Sequence, residues 1–179
     1  MIKDYYPVKI GNLKRNLPLF QAAPGIKIAL FNILGDTQIV KKSAQLLAKK
    51  LPLNADCIIT PEVKSVPLAY ELSDILKIPY IVLRKHCKPY MGNAVKAQTL
   101  SITTGKLQTI WLDGKDINLI KDKKVIIIDD VVSTGSTLKA IRELVNSIGG
   151  KIIAEAAVFT EGDNWNNFIC LGNLPIIKD

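Results

Sequence analysis

Two adjacent carboxylates, Asp129 and Asp130, end an apolar run and open into a segment rich in hydroxyls around one glycine: Val125 to Thr137 reads VIIIDDVVSTGST. The β-branched run predicts a strand buried on both faces. Its carboxyl end, where the acids fall, is where open parallel sheets place their ligand crevice. The residues that follow suit a phosphate. Gly135 permits close backbone approach, Ser133, Thr134, Ser136 and Thr137 carry hydroxyl donors, and the helix expected next begins with unpaired N–H groups and a favourable dipole. Carboxylates accept paired hydrogen bonds from vicinal hydroxyls, so acids beside a phosphate cradle select a phosphorylated ribose. The plainer alternative is a surface turn whose acids merely cap the helix.

Other phosphate-binding patterns fit less well. Neither a Walker Gly-Lys-Ser/Thr nor three spaced glycines of a dinucleotide fingerprint occurs in this segment, and nothing marks either Asp as a nucleophile. The segment instead resembles the phosphoribosyl pyrophosphate motif of type I phosphoribosyltransferases: an apolar run, two acids, an apolar residue, two variable residues, then Thr-Gly-x-Thr. The resemblance implies that Asp129 and Asp130 act on the ribose in binding and catalysis and that Ser133, Thr134, Gly135, Ser136 and Thr137 hold its phosphate. The implied partners are phosphoribosyl pyrophosphate and a purine base, with adenine ranked first. It also implies Mg²⁺, a hard ion suited to a pyrophosphate leaving group, coordinated mainly by substrate and water, so no protein metal ligands are assigned.

Two further segments extend the resemblance. TPEVKS, Thr60 to Ser65, is similar to the family's pyrophosphate loop, which assigns Glu62, Val63, Lys64 and Ser65 to phosphoribosyl pyrophosphate; the Arg-Gly of adenine-specific relatives is absent. RKHCKPYMG, Arg84 to Gly92, resembles the Arg-Lys-x-Gly-Lys-Leu-Pro stretch of adenine phosphoribosyltransferases. Arg84, Lys85 and Lys88 match in charge, whereas Cys87 replaces the glycine and Pro89-Tyr90 the Leu-Pro pair. This stretch is expected to act as a lid, with Lys88 assisting pyrophosphate departure. For the base, Phe31 in PGIKIALFNI and Val131 are the candidates, and FTEGDNW, Phe159 to Trp165, is either a polar contributor or a simple turn.

The elements that must position these groups alternate. Asp36 can cap a helix to about Lys50, Ala55 to Thr60 and Ile78 to Arg84 read as strands around a second helix, and Leu138, Ile141, Val145 and Ile148 share a helix face that stops at Gly149-Gly150. Ile152 to Phe159 follows as a strand. Leu100 to Thr103 and Leu107 to Leu112 read as a hairpin. This order predicts an α/β fold with a doubly wound parallel sheet, to which the resemblance adds a small hood and a projecting β-hairpin.

With 179 residues and 48% hydrophobic composition, residues 1–179 are expected to form a single domain. The apolar runs are too short for a bilayer and the first residues lack a signal-peptide core, so a cytoplasmic protein with no membrane partner is expected. Three scattered cysteines suit a reducing compartment, and the lone His86 argues against a histidine metal site or triad. The charge of +8 fits a polyanionic ligand or nucleic acid equally. No aromatic-interleaved basic stripe is read, so most lysines are assigned to a solvated surface and nucleic acid is not among the expected partners; a homodimer is. The alternatives to an enzyme are a regulator that binds phosphoribosyl pyrophosphate without turnover and a nucleic-acid-binding protein that uses the fold and the positive charge.

Overall fold

The structure, a computed structural model, describes residues 4–100, 107–162, 165 and 168–178. In chain order its elements are β1 (Tyr5–Ile10), β2 (Leu13–Ala23), β3 (Ile26–Ala29), α1 (Thr37–Ala48), β4 (Cys57–Pro61), α2 (Val66–Leu76), β5 (Tyr80–Leu83), β6 (Val95–Leu100) and β7 (Leu107–Leu112). A 3₁₀ helix (Gly114–Leu119), β8 (Lys124–Val132), α3 (Ser136–Ile148), β9 (Lys151–Glu161), β10 (Gly172–Leu174) and β11 (Ile176–Lys178) follow.

A five-stranded parallel sheet, ordered β10-β9-β8-β4-β5, carries the molecule. Alternation along its central strands feeds two separate cores. Ile126 and Ile128 join Ile58 beneath α1 and α2, while Val125 and Ile127 join Cys57 and Ile59 beneath α3. Helices on both faces explain why β8 reads as an unbroken apolar run until its acids. The expected doubly wound sheet is thus present. Asp36 caps α1 by accepting from the Ile39 N–H at 3.1 Å, and Gly149 ends α3 in the left-handed region at φ +87°.

Three features depart from the sequence reading. The first hairpin strand begins at Val95 rather than Leu100 and pairs with β7 from Val95 opposite Leu112 to Leu100 opposite Leu107; residues 101–103 of the expected strand and the expected Thr-Gly-Lys turn lie outside the described residues. Strands β1, β2, β3 and β11 form a four-stranded antiparallel sheet that supplies the hood. Lastly, β10 adds a parallel edge beyond β9, so the residues after Glu161 return to the main sheet.

Candidate functional site

The chain turns from β4 through α2 to β5 on one side, and from β8 through α3 to β9 on the other. The carboxyl ends of β4 and β8 therefore flank the point where the winding reverses, which is where such sheets leave a crevice. Both candidate loops open there.

The β8 loop supplies acids and a cradle. Ile128 is fully buried, Asp129 is half-buried and Asp130 is 7% exposed, so the apolar strand carries the carboxylates into the floor of the crevice. Gly135 takes φ +73° at the N-cap of α3, a conformation that a residue with a Cβ adopts at a cost. A Cβ there would also stand 3.0 Å from Cη2 of Trp165. The hydroxyls of Thr134 and Ser136 lie 3.1 Å apart, and the Ser136 N–H points at Thr134 Oγ1 from 3.4 Å. Asp129, Val131 and residues 132–138 line a cavity of about 150 Å³ around this turn.

The β4 loop is shaped from beneath. The buried Thr60 hydroxyl donates to Ser65 Oγ at 2.8 Å, and Ser65 donates to the Pro61 carbonyl at 3.0 Å, drawing the loop's two ends together. The Glu62–Val63 peptide within it is cis. Glu62 accepts from the Lys85 N–H at 2.6 Å and from Arg84 Nη1 at 3.0 Å, joining this loop to the segment after β5. Between the two loops lies a cavity of about 270 Å³ whose walls include Glu62, Lys64, Lys85, Asp129, Asp130 and Thr137.

Electrostatics set the character of that cavity. Burial and then the charge of Asp130 raise the Asp129 carboxyl well above the ordinary carboxylate range, with the nearby Ser65 hydroxyl opposing the rise. Burial raises Asp130 too, against the attraction of Lys64. One Asp130 oxygen, Oδ2, is buried with no hydrogen-bond partner. Asp129 Oδ1 accepts from the Asp130 N–H at 2.8 Å, but Asp130 Oδ2 has no donor, and a polyhydroxyl or cationic ligand would supply one. Glu62 behaves oppositely: burial pushes it up, but the Lys85 N–H, the Arg84 hydrogen bond and both positive charges outweigh burial and leave it below its usual range.

Of the residues singled out in the sequence, Glu62, Val63, Lys64, Ser65, Lys85, Asp129, Asp130, Val131 and Thr137 meet on one cavity. Ser133, Thr134, Gly135 and Ser136 line the adjoining one. Others lie apart. Arg84 is committed to Glu62 and faces a different cavity, of about 360 Å³, with Tyr90 and Asp113. Lys88 is exposed and lines neither site cavity; its N–H donates to Met91 Sδ at 3.3 Å. Phe31 is 5% exposed and packs edge-to-face on Phe159 at 4.9 Å, so its ring forms part of the core beneath α1. His86 is exposed, and Cys57 is buried, its thiol pushed up to about 12 by burial, which makes it a poor nucleophile.

Trp165 is the site neighbour that sequence reasoning passed over. Its indole N–H donates to the Glu161 carbonyl at 3.1 Å and its ring meets Phe168 edge-on at 5.3 Å, which braces it against Gly135. The available signal was an aromatic soon after a strand end in a segment already noted for polar recognition.

Comparison with known proteins bears on family and fold. A family model described as a phosphoribosyl transferase domain matches residues 32–167. The hypoxanthine/guanine phosphoribosyltransferase of Methanocella paludicola is 33% identical over 135 residues, covering 75% of this chain and 67% of the relative. The purine biosynthesis transcriptional activator PurR of Lactococcus lactis subsp. lactis is 26% identical over 140 residues, and this chain spans only 51% of its length. The crystal structure of an adenine phosphoribosyltransferase from Thermoanaerobacter pseudethanolicus superposes with a TM-score of 0.66 at 22% identity, covering 79% of this chain and 84% of that one, a likeness of fold.

Proposed function

The chain belongs to the phosphoribosyl transferase domain family, and from that premise we propose that residues 1–179 act as one purine phosphoribosyltransferase unit, transferring phosphoribose from phosphoribosyl pyrophosphate to a purine nitrogen. The observation that carries this reading is the buried acid pair at the end of β8, one oxygen of it unpartnered, set between a phosphate-sized cradle and a loop that presents Lys64. In the reaction the ribose C1–oxygen bond to pyrophosphate breaks with its electron pair, a base nitrogen forms the new bond to C1, and the displaced proton leaves with solvent or product. Asp129 and Asp130 accept from the ribose hydroxyls and face the positive charge that grows on the sugar ring. The N–H groups and hydroxyls from Ser133 to Thr137 hold the 5-phosphate. Lys64 and Lys85 stand on the leaving-group side, and Glu62 fixes Lys85 by its backbone.

Mg²⁺ fits the donor chemistry: a buried, unpartnered carboxylate oxygen is a hard ligand, and no group of three or more His, Cys, Asp or Glu stands together among the described residues, which leaves most coordination to substrate and water. When bound, the ion neutralises charge on the departing pyrophosphate. For the base, the charge pattern of Arg84 to Tyr90 supports adenine, whereas the relative at 33% identity bears the name of a hypoxanthine/guanine enzyme. A sequence match at that level weighs more than a likeness of fold, so hypoxanthine and guanine come first and adenine second. The test measures mononucleotide and pyrophosphate across adenine, hypoxanthine, guanine, xanthine and orotate with phosphoribosyl pyrophosphate and Mg²⁺. A purine product with none from orotate supports the reading; product from orotate alone overturns it.

A second reading is favoured by the similarity to a transcriptional activator. In it the same cavity senses phosphoribosyl pyrophosphate without turnover. Tight binding with no product from any base selects that reading over the enzyme.

A further inference from the structure

The net charge is gathered in one part of the fold. Between Tyr5 and Ala55 the sequence holds eight basic residues and a single acid, Asp36, so this stretch carries +7 of the chain's +8. Asp36 is itself consumed by Arg15, which donates to it at 2.6 Å and 3.0 Å. The stretch includes the hood sheet's first three strands and α1, none of which lines the acid-pair cavity.

Strand pairing sets two of these residues, Lys9 and Lys14, on one surface with exposed rings. Lys9 lies directly opposite Lys14 across the β1–β2 ladder, and Tyr5 lies opposite Pro18, with Phe20 two residues further along the same strand. Because side chains alternate along a strand, Tyr5, Pro7 and Lys9 share a face with Lys14, Asn16, Pro18 and Phe20. That face is turned outward: Tyr5 is 59% and Phe20 55% exposed, whereas Ile10 and Leu17 of the opposite face are buried. At the hairpin turn a Cβ on Gly11 would stand 3.1 Å from Lys42 Cδ, so the Lys42 stem of α1 reaches the turn at the basic end of the face. Two lysines placed directly opposite repel each other and weaken the hairpin, which a structural role alone does not call for.

We propose that this outer face of the hood sheet binds single-stranded nucleic acid, with bases stacked on Tyr5 and Phe20 and the backbone phosphates held by Lys9, Lys14 and Lys42. Lys9 lies four residue steps along the strand from Tyr5, roughly 13 Å, a span of a few nucleotides. Exposed rings on a sheet beside lysines supply the two things a single strand needs: flat stacking surfaces and positive charge along the backbone path. A second copy of the chain does not suit the face, because it would set lysines against lysines. A lipid surface does not suit it either, since among the described residues β1 and β2 expose just two large apolar side chains, Tyr5 and Phe20, too few for an edge that inserts. The inference is independent of the phosphoribosyl site and goes beyond it.

The experiment uses the full chain and fluorescein-labelled oligouridylate, oligothymidylate and a duplex of matched length, read by fluorescence anisotropy over a salt series. Single strands should bind more tightly than duplex, and the affinity should fall steeply with salt. The double variant Lys9→Gln/Lys14→Gln should flatten the slope of log affinity against log salt by about 1.4. Tyr5→Ala and Phe20→Ala should each weaken single-strand binding about tenfold while leaving duplex binding unchanged. Wild-type circular dichroism and wild-type response to phosphoribosyl pyrophosphate in all variants keep a folding defect distinct from a binding one. No binding of any oligonucleotide at low salt, variants that bind as the parent does, or binding only to vesicles of anionic phospholipid would overturn the proposal. So would a dimer in sedimentation that the Tyr5 and Phe20 variants dissociate.

Discussion

The two loops that meet in the crevice are built by different means. The β8 loop is continuous: strand, acids, glycine turn and helix start occupy Val125 to Thr137, and each acts through its own backbone or its immediate neighbours. The β4 side is assembled from segments far apart, with Glu62 reaching the Lys85 N–H and Arg84, and Arg84 exchanging backbone hydrogen bonds with Trp111 at 2.8 Å and 2.7 Å. A site made from one stretch of chain is written in that stretch. One made by contacts across twenty or more residues is only hinted at by its charges.

If that contrast holds, damage to the β8 loop should cost most. Asp129→Asn combined with Asp130→Asn removes the charge facing the ribose and should lower kcat/KM by about thirtyfold to nearly a thousandfold, corresponding to about 2 to 4 kcal/mol, with the fold intact by circular dichroism. Near-parental turnover would end the assignment. Gly135→Val should raise the dissociation constant for phosphoribosyl pyrophosphate at least about tenfold, because a branched residue resists positive φ and its Cβ meets Trp165; calorimetry reads it directly.

The β4 side should respond more mildly and in a different parameter. Glu62→Gln keeps the shape but weakens the hold on Arg84 and Lys85, so KM for phosphoribosyl pyrophosphate should rise by about threefold to tenfold with little change in kcat, as expected for a partly solvated interaction. A drop as large as that of the acid-pair variant would mean that the two loops act as one unit and would erase the contrast.

The smallest effect concerns stability. A carboxyl whose folded pKa is raised above its unfolded value favours the native state fully at low pH and loses that advantage as pH rises from the ordinary carboxylate range toward the raised value. The unliganded protein should therefore lose stability across that window because of Asp129. Asp129→Asn should melt higher than the parent at pH 8 and show no such gain at pH 4, each kcal/mol corresponding to about 2 to 4 °C in Tm. A gain of equal size at both pH values would mean that ionisation of the pair is not the cause.

The same contrast explains what the sequence made legible. The parallel sheet was readable because β4, β8 and the α1 and α3 faces repeat apolar residues at strand and helix periods and end on Asp36 and Gly149 signals. The hood was harder. Tyr6, Val8 and Ile10 alternate inward with exposed neighbours, but Arg15 takes an inward position on β2 to reach Asp36, and β11 closes the sheet from the far end of the chain. Phe31 matched an aromatic expected near the base, yet its ring meets Phe159, a partner that no local pattern announces. Lys9, Lys14 and Lys42, scattered along the sequence, come together only once β1 and β2 pair and α1 meets their turn.

The most direct test of the central claim is a crystal structure with phosphoribosyl pyrophosphate and Mg²⁺ bound. The account predicts the 5-phosphate on the N–H groups of residues 133–137, the ribose hydroxyls on Asp129 and Asp130, and the pyrophosphate against Lys64. A ligand seated elsewhere, with the Asp130 carboxylate still unpartnered, would contradict it.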